Sequence, residues 1–151
     1  MGLELDIEEI RGRFGNGICC SMSVFGALAP LLGVDEDTAM KIAAGFCGGV
    51  EQNNFCGCIS GAKMALGLKY SGGSQGGTEK VQLLRKKIRE FEEQFEEEFG
   101  SRRCPEILGG LDPSLPADKP KIAELQLHQR VCSDAICYTV ELVSEMLEEE
   151  E

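Results

Sequence analysis

Basic residues are scarce in this chain, and long apolar runs are missing. Of its 151 residues, 15 are Lys or Arg and 26 are Asp or Glu, so the formal net charge is −11. Nucleic acids and anionic membranes both favour clusters of Lys and Arg, so we expect neither as a partner. No stretch approaches the roughly 18 uninterrupted apolar residues of a membrane-spanning helix, and the N-terminus lacks the basic and then apolar segments of a signal peptide. We therefore expect a cytoplasmic protein.

Several common catalytic and cofactor motifs are also absent. The sequence has neither the paired CxxC motifs of a zinc ribbon nor the CxxCxxC run of a ferredoxin. The single histidine, His128, provides no Cys–His–Asn set for a cysteine hydrolase and no Glu-x-x-His motif for a carboxylate metal centre. The glycine-rich segment 70–77 lacks the lysine of a phosphate-binding loop. These absences argue against the classes of protein that such motifs define.

Apolar residues recur at helical spacing, and no segment has the alternation that is typical of a strand. In the segment 78–99, for example, Val81, Leu84, Ile88 and Phe91 lie on one stripe of a helix. We expect helices over residues 3–14, 20–32, 35–46, 56–68, 78–99 and 132–147, a turn or two before Leu108, and loops over residues 70–77 and 109–121.

The length of the chain suits one domain, because 151 residues can bury a core without disulfide bonds. The sequence therefore predicts a single all-α domain over residues 1–151, a bundle of five to seven helices. Residues 148–151 form a run of glutamates, which we interpret as a solvated tail.

Small residues line one face of the helix expected at 56–68. They are Gly57, Ser60, Gly61, Ala62 and Ala65. We interpret this face as a packing surface that lets a neighbouring helix approach closely.

Eight cysteines are present, and most of them stand where a helix is expected to begin. Cys104 precedes Pro105, and proline is favoured at the first helical position, so we expect Cys104 at the N-cap. Unpaired N–H groups and the macrodipole at a helix start lower the pKa of a thiol, and Arg102 and Arg103 add positive charge. Cys104 is therefore the first candidate for a lowered thiol pKa.

Helix geometry separates the members of two other pairs. Cys56 and Cys58 lie about 200° apart on a helix and converge only if Cys56 is an N-cap residue with extended dihedrals. We expect Cys56 to be reactive and Cys58 to be a small buried residue. Cys132 and Cys137 lie about 140° apart, so both can face one centre only if the helix begins between them.

The remaining cysteines are close to one another or at the end of a helix. Cys19 and Cys20 are adjacent, and a disulfide between neighbours is strained, so we expect at most one of them to act. Cys47 follows an apolar helix and is expected in the core.

The order of these segments resembles the family of putative redox-active proteins called C_GCAxxG_C_C. The resemblance covers about residues 10–147. Its segments are Cys20-Ser-Met-Ser-Val24, Gly45-Phe-Cys-Gly-Gly49, Cys56-Gly-Cys-Ile-Ser-Gly61, Met64-Ala-Leu-Gly67, Cys104-Pro-Glu-Ile-Leu-Gly109 and a C-terminal cysteine.

The resemblance implies four signature cysteines: Cys20, Cys56, Cys104 and either Cys132 or Cys137. We favour Cys137, because the valines after it continue the helix pattern that the family shows there. The chain departs from the family in three places. Cys58 stands where the family usually has alanine, and Cys19 and Cys47 are additions.

The family implies a small helical redox protein, found mostly in anaerobic prokaryotes. It is similar to a domain that accompanies a split-Soret type cytochrome, so the cofactor is an iron–sulfur cluster or none. The expected partner is a redox protein or a small thiol. A homodimer, and whether the protein is an enzyme, stay open.

Three functions agree with these observations. In the first, which we favour, two of Cys20, Cys56, Cys104 and Cys137 cycle between dithiol and disulfide. In the second, the same four thiolates bind a metal ion or an iron–sulfur cluster, with Cys132 and Cys58 as substitute ligands. In the third, the chain is an acidic interaction protein whose cysteines only pack.

Overall fold

The computed structural model describes residues 2–47 and 55–149, and within these ranges it contains eight α-helices and no β-strand. The helices are α1 (Ile7–Arg13), α2 (Cys20–Leu28), α3 (Glu36–Ala43), α4 (Gly57–Tyr70), α5 (Gly77–Phe99), α6 (Cys104–Ile107), α7 (Lys119–Glu124) and α8 (Ser133–Leu147). Short 3-10 turns follow α1, α2 and α3, and a π-helical segment, His128–Cys132, leads into α8. The predicted all-α fold is confirmed, with one helix more than the upper limit expected.

The additional helix is α7, which overlaps the segment expected to be a loop. The expectation rested on prolines, which usually interrupt helices. Pro120, however, lies in the first turn of α7, where the missing N–H would have had no partner within the helix. Proline content therefore predicted a loop where the structure has one and a half turns of helix.

The helix α2 lies at the centre of the bundle and packs against α3, α4 and α8. Its residues are small or apolar on nearly every side, and Val24 and Leu28 are completely buried. A helix without a polar face is stable only when neighbours surround it. This composition places the start of α2 inside the protein.

Two glycines on α4 allow α2 to approach closely. A Cβ atom added to Gly57 would lie 2.8 Å from the backbone nitrogen of Ser21, and one added to Gly61 would lie 2.9 Å from Cβ of Val24. Both distances are shorter than real carbon contacts. The predicted close-packing face of this helix is confirmed at these two positions.

The long helix α5 covers the bundle with Phe91 and Phe95, which are buried. Within the described part of the chain, no helix is both long enough and apolar enough to cross a membrane. The glutamate tail is partly tied down, because Lys87 on α5 donates to Glu149 at 2.8 Å. Residues 150–151 lie outside the described residues.

The contact between α2 and α4 can be tested with two glycines of the same helix. Gly61→Ala should lower the free energy of unfolding by about 1–2 kcal/mol, because the new methyl group overpacks against Val24. Gly67→Ala is the matched control. No atom lies within 4 Å of its added Cβ, so it should gain about 0.5–1 kcal/mol from helix propensity. Urea unfolding followed by circular dichroism measures both, and equal effects of the two variants would contradict the packing account.

Candidate functional site

Cysteine thiols from four segments meet where the first turns of α2 and α4 lie side by side. We call this set the thiol cluster: Cys20, Cys56, Cys58, Cys104 and Cys132. The thiol of Cys20 interacts with those of Cys56, Cys58 and Cys132, and each of these interactions acts on its pKa. Cys104 packs in the same buried group as Cys132, and Cys20 packs against that group. The structure therefore brings together three of the expected signature cysteines, Cys20, Cys56 and Cys104.

The start of α4 is held beside the start of α6 by backbone contacts. Phe55 and Arg103 form an isolated antiparallel bridge, and the N–H of Cys56 donates to the carbonyl oxygen of Arg102 at 2.8 Å. Cys56 is the N-cap residue of α4, with φ −55° and ψ 141°. This extended conformation is the condition under which Cys56 and Cys58 can converge, and their thiols are in contact.

Of the two cysteines near the C-terminus, the structure places Cys132 in the cluster and Cys137 outside it. Cys137 is partly exposed and packs against the main core, where Asp134 and Arg11 are among the charged groups that act on its thiol. The physical reason is the rotation between them, since five helical positions turn a side chain by about 140°. Cys132, at the end of the π-helical segment, is the one that contacts Cys20.

Cys19 and Cys47 form a disulfide with their Cα atoms 5.8 Å apart. Cys19 immediately precedes α2, and Cys47 ends the 3-10 turn after α3. The expectation that Cys47 belongs to the core was wrong, because Cys47 is only partly buried and is bonded to Cys19. The two cysteines are 28 positions apart in the chain, so local sequence pattern could not predict this pairing.

The buried hydroxyl of Ser21 holds the disulfide against α2. Its Oγ donates to the carbonyl oxygen of Ala43 at 2.8 Å, which ties the start of α2 to the end of α3. The same oxygen lies 3.3 Å from Sγ of Cys19 and 3.9 Å from Sγ of Cys47. The disulfide and the thiol cluster thus share the first turn of α2.

A cavity of about 390 Å³ opens between the disulfide and the thiol cluster. Its wall contains both half-cystines and three cluster thiols, those of Cys20, Cys104 and Cys132. Lys119 and His128 also line it. The site therefore includes a cavity whose volume falls in the range of small-molecule sites.

His128 is a site residue that reading the sequence did not find. Its Nδ1 lies 3.4 Å from Sγ of Cys132, and its ring stacks on Phe14 with the ring centroids 5.3 Å apart. Burial lowers the pKa of His128, so the imidazole is neutral at neutral pH. The signal that could have found this contact is the four-residue spacing of His128 and Cys132, which suits one face of a helix.

The thiol of Cys104 does not have the lowered pKa that its sequence neighbours suggested. Burial raises the pKa of Cys104 well above its usual range, and the nearby thiols and Asp112 act in the same direction. A helix start contributes up to about 2 kcal/mol, or roughly 1.5 pKa units, whereas burial shifts a group by up to about 3–5 units. The expectation for Cys104 was wrong because desolvation is the larger effect.

Two details weaken the helix-start effect further. Cys104 is the first helical residue of α6, not its N-cap, and α6 has only four residues. The expected cations are paired with carboxylates. Arg102 contacts Glu92 and Glu96 at 2.8 and 2.9 Å, and Arg103 lies 3.6 Å from Glu106.

The thiols of Cys20, Cys56 and Cys58 are also held in the neutral form. The hydrogen bond to Cys132 is the largest cause that raises the pKa of Cys20, and the hydrogen bond to Cys20 is the largest cause that raises the pKa of Cys56. For Cys58, burial is the main cause of a pKa well above the usual range. Cys58 is completely buried, as expected, yet it also contacts the other thiols.

Over residues 2–47 and 55–149, no group of three or more Cys, His, Asp and Glu side chains has an arrangement that could hold a metal ion. The thiols of the cluster interact with one another.

One comparison with known proteins identifies the sequence pattern. A family model described as "Putative redox-active protein (C_GCAxxG_C_C)" matches residues 18–146, a range that includes the disulfide and the whole thiol cluster. No curated protein and no solved structure shows significant similarity to the chain.

The balance between burial and the helix start predicts an order of thiol reactivity. In the reduced protein at pH 7.5, iodoacetamide should modify the partly exposed Cys137 about tenfold or more faster than Cys104. Burial raises the pKa of both thiols, but Cys104 is the more deeply buried, and only the thiolate reacts. Peptide-resolved mass spectrometry measures both rates. In denaturant the two should react alike. Faster modification of Cys104 in the folded protein would show that the helix start dominates after all.

Proposed function

Because the chain belongs to the C_GCAxxG_C_C family of putative redox-active proteins, we propose that it carries out thiol–disulfide exchange with its thiol cluster. The observation that carries this proposal is the convergence of three cluster thiols and one disulfide on a single cavity, with the thiols of Cys56 and Cys58 next to that of Cys20. Dithiol and disulfide forms differ by two electrons and two protons, so each working pair stores one electron pair.

Cys20 is the central thiol of the proposed exchange. Its thiol interacts with those of three other cluster cysteines, so we propose each of them as a disulfide partner for Cys20. It also follows Cys19 directly in the chain, at the edge of the cavity that the disulfide lines. Electron pairs can therefore move through Cys20 between the cavity and the buried thiols.

The raised pKa values of Cys20, Cys56 and Cys104 support a resting state in which the cluster is protonated. A neutral buried thiol is slow to react, because the thiolate is the nucleophile. Once it is deprotonated, a thiolate of high pKa is intrinsically a strong nucleophile. Such a cluster resists random oxidation and reacts where a base or a partner removes a proton.

The expected cytoplasmic location agrees with a working disulfide. Reducing systems in the cytosol normally keep thiols reduced, and disulfides found there are usually transient ones that take part in catalysis or sensing. We propose that the Cys19–Cys47 bond is of this kind and that a small thiol or a redox protein exchanges with it. The cluster disulfides would then form and break in the same cycle.

Controlled oxidation tests the proposed function. Fully reduced protein is treated with increasing diamide, unfolded, alkylated and analysed by intact mass and peptide mapping. We expect two cysteines to escape alkylation when the Cys19–Cys47 pair forms, and at least two further cysteines to escape it when a disulfide forms within the thiol cluster. Cys137 should remain alkylated throughout, because it lies outside the cluster.

Two variants make the result specific. Cys20→Ser should abolish the disulfides that involve Cys20, whereas the control Cys137→Ser should oxidise like the unchanged protein. Cluster thiols that remain fully alkylated after Cys19 and Cys47 have paired would contradict the proposal and leave packing as their role. Iron and acid-labile sulfide in stoichiometric amounts after anaerobic purification would contradict it in favour of a cluster-binding module.

A further inference from the structure

We infer that Cys132 is the thiol that first attacks a low-molecular-weight disulfide in the cavity, and that His128 is the base that accepts its proton. This inference rests on the proposed thiol–disulfide function and adds an entry point, a catalytic base and a class of substrate. It is carried by the imidazole–thiol contact, the position of both residues on the cavity wall, and the burial of the cluster.

Among the cluster thiols, Cys132 has the position that an entry thiol needs. Cys56 and Cys58 are absent from the residues that line the cavity, and Cys58 is completely buried. Cys20 and Cys104 reach the cavity, but the only imidazole of the chain lies against Cys132, with Nδ1 at 3.4 Å from Sγ. A thiol next to a neutral imidazole can transfer its proton to that ring, which produces the nucleophile.

Contacts of its ring and of the backbone around it hold His128 in place. Its ring lies nearly parallel to Phe14, with an angle of 11° between the ring planes. Its carbonyl oxygen accepts from Oγ of Ser133, and Nε of Arg11 donates to the neighbouring carbonyl of Gln129 at 3.1 Å. A base held in this way needs little reorganisation before it accepts a proton.

Charged and titratable groups from several segments lie near the pair. Lys119 lines the same cavity, and Arg11 on α1 is bonded to the segment that carries His128. The thiols of Cys20 and Cys104 also lie near the pair, Asp112 acts on the thiol of Cys104, and Arg11 is paired with Glu8. Burial lowers the pKa of His128, which keeps the ring ready to accept a proton at neutral pH.

The shape of the site selects a small substrate. Cys132 is 5% exposed and Cys104 is 8% exposed, so both lie on the wall of a recess and not on the protein surface. A disulfide on the surface of a folded protein would not reach them. The cavity of about 390 Å³ falls in the range that small-molecule sites occupy, and Lys119 can pair with a carboxylate on the ligand.

The reaction balances in two steps. His128 takes the proton of Cys132, and the thiolate attacks one sulfur of the small disulfide, so a mixed disulfide forms and the first small thiol leaves with the proton from His128. The thiol of Cys20, which contacts Cys132, then loses its proton and attacks Sγ of Cys132. This forms a Cys20–Cys132 disulfide and releases the second small thiol with that proton. Two protein thiols are oxidised and one disulfide is reduced.

Single-turnover kinetics with cystine test the inference. Reduced protein is mixed with cystine between pH 5.5 and 9 and quenched with acid, and each cysteine is followed by peptide mass spectrometry. In Cys20→Ser, which lacks the resolving thiol, we expect a trapped mixed disulfide on Cys132. His128→Gln should slow its formation at pH 7 about tenfold or more and move the rate profile to higher pH.

Internal and matched controls separate catalysis from damage to the fold. The reaction of cystine with Cys137 in the same molecules should be unchanged by His128→Gln. Phe14→Leu keeps the imidazole but removes its stacking partner. Its rate–pH profile should therefore fall between the profile with His128 intact and the profile of His128→Gln. A mixed disulfide that forms first on Cys20 or Cys104, or equal rates at Cys132 with and without His128 at every pH, would overturn the inference.

The diamide titration keeps this test distinct from that of the proposed function. If cluster disulfides still form with diamide while His128→Gln has no effect on the cystine reaction, the entry mechanism fails and the redox function stands. If the cluster forms no disulfide with either oxidant, the proposed function itself fails.

Discussion

The close approach of α2 and α4 is the constraint on which the site depends. With no side chain at Gly57 and Gly61, the backbone of α4 lies directly against Ser21 and Val24. That contact brings the first turns of both helices to the same place, and each first turn carries cysteines. The other cysteines reach this place through the backbone bridge that joins the start of α4 to the start of α6 and through the π-helical segment before α8. A bulkier residue at either glycine would separate the thiols as well as the helices.

Burial, and not the helix start, decides how these thiols behave. Helix starts were the reason to expect reactive thiolates. Burial, however, destabilises the thiolate by more than the helix dipole stabilises it. Cys104 illustrates this balance, because its neighbouring arginines pair with glutamates while its own thiol stays neutral. Reactivity then depends on a specific base. His128 beside Cys132 provides one at the cavity wall.

The sequence was sufficient for the all-α fold, and it named three of the cysteines that the structure brings together. Helical periodicity is local, so the all-α bundle could be predicted, and the resemblance to a known family pointed to Cys20, Cys56 and Cys104. The sequence could not decide between Cys132 and Cys137, because the rotation of α8 relative to α2 determines which of the two faces the thiol cluster. The Cys19–Cys47 disulfide and the contact of His128 could not be found either, because each depends on how separate segments pack.

Reversible oxidation of the thiol cluster tests the account most directly. The protein is equilibrated in buffers with graded ratios of oxidised to reduced dithiothreitol, quenched with acid and alkylated. Intact mass then gives the number of free thiols. The account predicts at least two reversible two-electron transitions, one for Cys19–Cys47 and one within the cluster, with Cys137 reduced throughout. A single transition that involves only Cys19 and Cys47 would contradict it.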